Sequence, residues 1–231
     1  MFKDILVLVI VALAVLLSAC NETSQPAVTH SPQENLGSRL DSVSYAMGMN
    51  VGRVLRSQGF DTLNYDAMAA AIDGILNNAE QPFKQEAANR MINTYVSERA
   101  PVLAAQNLLQ AETILDSLRK LPSIVEPEEG VLYRVLQQGK GEYPAHQQQV
   151  QVHFISKLAD GAVLENTYDS GTARILETGS AISGWNTILS IMRQGDIFEV
   201  WLHPDQAYGR SGGYGGLVPA NAMLYYQIEL L

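Results

Sequence analysis

Between Gln206 and Ala222 the chain reads QAYGRSGGYGGLVPANA, setting Gly209, Gly212, Gly213, Gly215 and Gly216 beside Tyr208 and Tyr214. Glycine-rich loops cradle phosphate when a strand leads in, a helix follows and a Lys-Ser/Thr pair closes the motif. No such pair follows here, and Pro219 leads into MLYYQIELL, an alternating strand pattern. The phosphate reading fails. His30, His146, His153 and His203 lack metal-ligand spacing, Cys20 is the sole cysteine, and G-x-S-x-G, HExxH and dinucleotide fingerprints are absent. Glu128, Glu129 and Glu165 read as isolated acids rather than a paired-carboxylate site. What remains is an apolar set: Phe154, Leu164, Ile182, Trp185, Tyr208, Val218 and Tyr226. These fall on strands, at strand ends and around one short helix, where together they can line a concave apolar pocket. The chemistry they offer is the binding of an apolar group.

The elements that must position them follow from the period of the pattern. Beyond Pro122 the stretches VLYRVL, VQVHFISKL, IFEVWL and MLYYQIELL alternate, with Asp160-Gly161 placed as a tight hairpin turn. One helical piece, Trp185 to Met192, interrupts them and is stopped by Gly195. A half-open antiparallel sheet wrapping one short helix is the economical architecture for residues 123–231.

Residues 38–122 are helical by pattern, so the whole is α+β. Asp41 or Ser42 is expected to cap a first helix that Gly59 stops, and Asn64 or Asp66 a second. Pro82 suits the first turn of a long third helix, which Pro101 should kink or split. Gly48 and Gly52 lie one turn apart, where a second backbone can approach closely. Met47, Met49, Met68 and Met91 suit helix packing or a partner interface.

Apolar content of 47% and charged content of 17% suit a folded protein. A formal net charge of −9 disfavours nucleic acid and anionic headgroups as partners. Residues 1–19 have the layout of a signal peptide, with Lys3 ahead of an unbroken apolar run from Ile5 to Leu17. Leu17-Ser18-Ala19-Cys20 resembles a bacterial lipoprotein box, which implies cleavage before Cys20 and a lipid on its thiol. Residues 20–37 read as a flexible tether.

Val152-His153-Phe154, Leu158-Ala159-Asp160-Gly161, Ala181-Ile182-Ser183-Gly184-Trp185, Ala207-Tyr208-Gly209 and Val218-Pro219-Ala220-Asn221-Ala222 resemble the FKBP-type peptidyl-prolyl cis-trans isomerases in order and interval. Ser44-Tyr45-Ala46-Met47-Gly48 with Gly52-Arg53 is similar to the N-terminal dimerisation domain of bacterial two-domain FKBPs, including the macrophage infectivity potentiator type. The resemblance implies a cofactor-free isomerase that binds proline-containing unfolded or partly folded polypeptides. It implies a homodimer joined through the N-terminal helices. The lipoprotein-like box adds a lipid anchor in the bacterial envelope, and Asn21, in place of the aspartate that resembles an inner-membrane retention signal, favours the outer membrane. In that reading Trp185 floors a prolyl pocket walled by Phe154, Leu164, Val218 and Tyr226, with Thr172 and Ala181 also facing the substrate. The Ile182 N–H and Tyr208 hydroxyl hold peptide carbonyls, Glu165 is the site's acid, and the glycine loop overhangs the whole.

Several positions depart from the family pattern. Phe154 stands where Tyr is usual, Leu164 where Phe is usual and Glu165 where Asp is usual; Ser156 replaces a glycine. Ala181 replaces a larger aliphatic, and Thr172 and Arg174 stand where Phe is common. Two readings therefore remain open from sequence: an isomerase, and the same fold serving as a chaperone or peptide-binding adaptor with weak or no isomerase activity.

Overall fold

The computed structural model describes residues 36–231, so the expected signal peptide, Cys20 and most of the expected tether lie outside the described residues. The chain divides into two compact units, Met1–Tyr45 and Ala46–Leu231. Among its described residues the first holds the opening turns of helix α1 (Arg39–Ser57), and all later elements belong to the second.

Helix α1 begins earlier than Asp41 or Ser42 because Ser38 and Asp41 cap it reciprocally. The Asp41 N–H donates to Ser38 Oγ at 3.1 Å, and the Ser38 N–H to Asp41 Oδ2 at 2.9 Å. Gly59 ends it with φ of +82°, as its type predicts. Helix α2 (Tyr65–Leu76) is capped by Asn64, whose Oδ1 accepts from the Ala67 N–H at 2.9 Å. Helix α3 runs unbroken over Gln85–Arg119. Pro82 therefore precedes it rather than opening it, and Pro101 does not split it. An interior proline costs a helix about 3 kcal/mol. The C-terminal half offsets that by packing: Ala111 and Leu115 are fully buried with Leu132 and Met223 against the sheet. Among the described residues no helix is long and apolar enough to cross a membrane.

The sheet comprises β1 (Val125–Glu128), β2 (Val131–Gln137), β3 (Gln149–Leu158), β4 (Val163–Asn166), β5 (Arg174–Glu177), β6 (Ile197–Leu202) and β7 (Leu224–Leu230). Its order is β1-β2-β6-β7-β3-β4, all antiparallel, with β5 also on β3. Strict alternation turns Val150, Val152, Phe154 and Ser156 of β3 inward, and Leu224, Tyr226, Ile228 and Leu230 of β7 beside them. Helix α5 (Ser183–Ile191) closes this face with Trp185, Ile188 and Leu189 buried. The β3–β4 connection turns at Asp160-Gly161, where Gly161 has φ of +86°.

One further helical turn escaped the sequence pattern. Helix α4 (Thr167–Ser170) sits where the edge of β3 changes partner, from β5 at Gln149–Val152 to β4 at Ile155–Lys157. The orphaned backbone of Phe154 is satisfied there by buried Thr167. Its Oγ1 accepts from the Phe154 N–H at 2.9 Å and donates to the Phe154 carbonyl at 3.2 Å. A single threonine thus holds in register the strand that delivers Phe154 to the pocket.

Candidate active site

Strand β3, the β4–β5 edge, the N-terminus of α5 and the glycine loop enclose a cavity of about 430 Å³. Its deepest wall is aromatic. Phe154, Trp185 and Tyr226 come from three different elements, and each is over nine-tenths buried. The Trp185 ring meets Phe154 and Tyr226 edge to face, both at 5.2 Å between centroids and at 81° and 88°. That interlock fixes Trp185 so that the cavity above it stays open. Leu164, Ala181, Ile182, Tyr208 and Val218 complete the apolar lining named from sequence. Thr172 is not part of it: it is exposed, and its hydroxyl donates to the Ser170 carbonyl at 3.4 Å. β5 instead presents Arg174, Ile175 and Leu176 to the cavity.

The polar groups at the mouth are positioned just as specifically. The Ile182 N–H, at the entry to α5, has no hydrogen-bond partner among the described residues and is free to donate to a ligand. Asn186, one turn into α5, holds the approach to it. Asn186 Oδ1 accepts from the Gly179 and Ala181 N–H groups, both at 3.1 Å, and its Nδ2 donates to the Ala181 carbonyl at 2.9 Å.

The glycine loop closes on itself. Gly213 and Val218 exchange backbone hydrogen bonds at 3.0 and 3.1 Å, and the Asn221 N–H donates to the Gly209 carbonyl at 2.9 Å. Glycine is required at two places for space as well as for turning. A Cβ on Gly212, itself at φ of +64°, would strike the Val218 carbonyl, and one on Gly213 would enter the Tyr208 ring. Tyr208 is therefore seated against bare backbone. The root of the loop is tied to α3: Asn107 Nδ2 donates to the Ala220 carbonyl at 2.9 Å and Asn221 Nδ2 to the Ala104 carbonyl at 3.2 Å.

Glu165 is not isolated. Arg174 Nε donates to its Oε1 at 2.7 Å, and the Tyr214 hydroxyl donates to Oε2. Both partners escaped the sequence reading as site residues, together with Ser156, Ile175 and Leu176. The only local sign of Tyr214 was an aromatic bracketed by two glycine pairs. The hydrogen bond to Glu165, then burial, push the Tyr214 phenol up to about 12. Burial and then Glu165 raise Tyr208, and burial foremost raises Tyr226. All three phenols therefore keep their protons at neutral pH and remain hydrogen-bond donors.

Comparison with known proteins gives this geometry its relatives. Residues 140–231 match the family model for the FKBP-type peptidyl-prolyl cis-trans isomerase, and residues 40–135 that for the domain amino terminal to it. The FKBP-type 22 kDa peptidyl-prolyl cis-trans isomerase of Escherichia coli is 29% identical over 192 residues, 81% of this chain and 92% of that protein. Outer membrane protein MIP of Legionella longbeachae is 26% identical over 198 residues, 83% of this chain and 84% of that protein. The crystal structure of FkpA from Escherichia coli shares the fold, with a TM-score of 0.59 and 23% identity over 84% of this chain and 96% of that one. From residue 40 to its end, through a helical region and the sheet that carries the pocket, the chain belongs to the FKBP-type peptidyl-prolyl cis-trans isomerases.

Proposed function

We propose that this chain catalyses cis–trans isomerisation of X-Pro bonds in unfolded or partly folded polypeptides of the bacterial envelope. The observation that carries this is the cavity floored by Trp185, with the Tyr208 hydroxyl and the free Ile182 N–H at its mouth. A planar X-Pro amide is held by resonance behind a barrier of roughly 18–20 kcal/mol. Twisting the bond removes that resonance and its charge separation, so an apolar wall stabilises the twisted amide more than the planar one. Catalysis needs only that difference. The proline ring lies on Trp185, while Ile182 N–H and Tyr208 Oη hold the flanking carbonyls and leave the C–N bond free to rotate. No nucleophile, metal or cofactor takes part.

The test is a protease-free isomerisation assay on a short X-Pro peptide, with Tyr208→Phe as the diagnostic variant. That change deletes one hydroxyl and keeps the ring against Gly213. Loss of a hydrogen bond of roughly 0.5–1.5 kcal/mol predicts a several-fold fall in kcat/KM with unchanged melting. A wild-type rate equal to the uncatalysed one, with unfolded clients still bound, would hand the fold to the chaperone or adaptor reading.

The working form in this proposal is a homodimer joined through residues 38–122, and several apolar side chains there support it. Met47, Val51, Ile72, Ile75, Leu76, Met91 and Ile92 are all exposed, more apolar surface than a soluble helical layer leaves uncovered. A Cβ on Gly48 or Gly52 would meet nothing within 4 Å, so that face can take a second backbone. Light scattering of a soluble form starting at Ser38 is expected to give twice the chain mass. A monomer at micromolar concentration would sink the dimer.

Cys20, outside the described residues, is proposed as the lipid anchor, with the outer membrane as its place. Cys20→Ser expressed in a bacterial host is expected to leave the membrane fraction and to take up no labelled fatty acid. Retention of both label and membrane association would remove the anchor from Cys20.

A further inference from the structure

We propose that Tyr214 is a positioning residue for the isomerase site, latching the glycine loop onto Glu165 across the mouth of the pocket. The proposal rests on the isomerase reading above. Glu165 lies on β4 and Tyr214 lies 49 residues later, on the opposite rim of the same cavity. The Tyr214 hydroxyl donates to Glu165 Oε2, while Arg174 grips Oε1 through Nε at 2.7 Å and Nη2 at 2.6 Å. Both carboxylate oxygens are thus claimed at the rim of the cavity, by one group on β5 and one on the loop. The Glu165 side chain has one usable orientation, along the pocket rim.

The loop backbone is bent to make this contact. Tyr214 has φ of +55°, a left-handed conformation that a bulky residue adopts only where its surroundings impose it. Gly215 and Gly216 continue in the same region at +65° and +87°. The Gly213–Val218 backbone pair closes the base of this tip, and the Tyr214–Glu165 contact is the hydrogen bond that fastens the tip to the other rim. Because Gly213 packs on the Tyr208 ring, fixing Tyr214 also fixes the wall behind Tyr208. A loop held down before substrate arrives spares the substrate the entropy of ordering it, so the effect belongs mainly in KM.

The experiment is a double-mutant cycle of Tyr214→Phe and Glu165→Ala, read by isomerisation kinetics and by amide hydrogen exchange of residues 212–217 without peptide. Tyr214→Phe is expected to lower kcat/KM roughly threefold to tenfold, mostly through KM, and to speed exchange in the loop. Both effects should vanish when Glu165 is already alanine, since the hydroxyl then has nothing to hold. The proposal is overturned if Tyr214→Phe leaves kcat/KM or loop exchange unchanged, or if its penalty is the same with and without the Glu165 side chain. Should the wild type isomerise nothing, it is the isomerase reading that fails. The exchange arm of the cycle still decides whether the latch exists.

Discussion

Trp185→Ala is expected to cut kcat/KM by one to two orders of magnitude and to be the most destabilising single change at the site. The two effects share a cause but can be separated. In the free protein Trp185 is 5% exposed and packs edge to face on both Phe154 and Tyr226. Truncating a buried Trp costs about 3–5 kcal/mol, because the neighbouring rings collapse only partly into the space. In the complex proposed above, the indole is the floor on which proline rests. Burying an apolar group of that size contributes about 1.5–3 kcal/mol, which sets the expected loss in rate if the twisted amide gains all of it. Trp185→Phe keeps an aromatic floor and most of the packing, so it should recover much of the stability and part of the activity. Denaturant melts of both variants, beside kcat/KM at a temperature where each is folded, check this. A folded Trp185→Ala protein with wild-type kcat/KM would remove Trp185 from the mechanism.

The floor was legible in the sequence for a physical reason. Phe154 and Tyr226 sit in strictly alternating strands, so period 2 alone assigns them to the inner face, and Trp185 lies in the first turn of the helix that covers that face. Tyr208 and Val218 were legible because they flank a stretch whose glycines have no other use. Periodicity, though, encodes faces and not reach. Glu165 read as an isolated acid because its partners stand 9 and 49 residues away, on a neighbouring strand and on a loop. The clip of Thr167 on Phe154 depends on β3 changing partners mid-strand, which no local pattern announces. Thr172 was assigned to the pocket by correspondence with an aromatic, and a polar side chain there turns to Ser170 instead. Of the two outcomes expected at Pro101, the split does not occur: the local penalty is real, but packing of Ala111 and Leu115 further along the same helix outweighs it.

Gly213→Ala is the second change with a large expected effect, and it tests the glycine loop directly. The backbone at Gly213 is extended, so the substitution strains no dihedral. What it lacks is room. A methyl there would overlap the Tyr208 ring edge and lie 2.8 Å from its Cγ and Cε1, atoms too close to the ring's root to swing aside cheaply. Either Tyr208 leaves the pocket wall or the Gly213–Val218 backbone pair opens. Overpacking of this kind costs about 1–3 kcal/mol. In the proposed complex the first response takes away both the Tyr208 hydroxyl and a wall, and the second unseats the loop behind Tyr208, so kcat/KM should fall roughly tenfold or more, beyond the several-fold loss in Tyr208→Phe. Gly215→Ala provides the contrast. Its Cβ would meet nothing within 4 Å, but its φ of +65° makes any side chain strained. It perturbs the loop without touching Tyr208, at a cost of about 1 kcal/mol. A much larger loss in Gly213→Ala than in Gly215→Ala means that the glycines exist to seat Tyr208. Equal losses would mean that the loop's own flexibility, and not the placement of one phenol, governs the site.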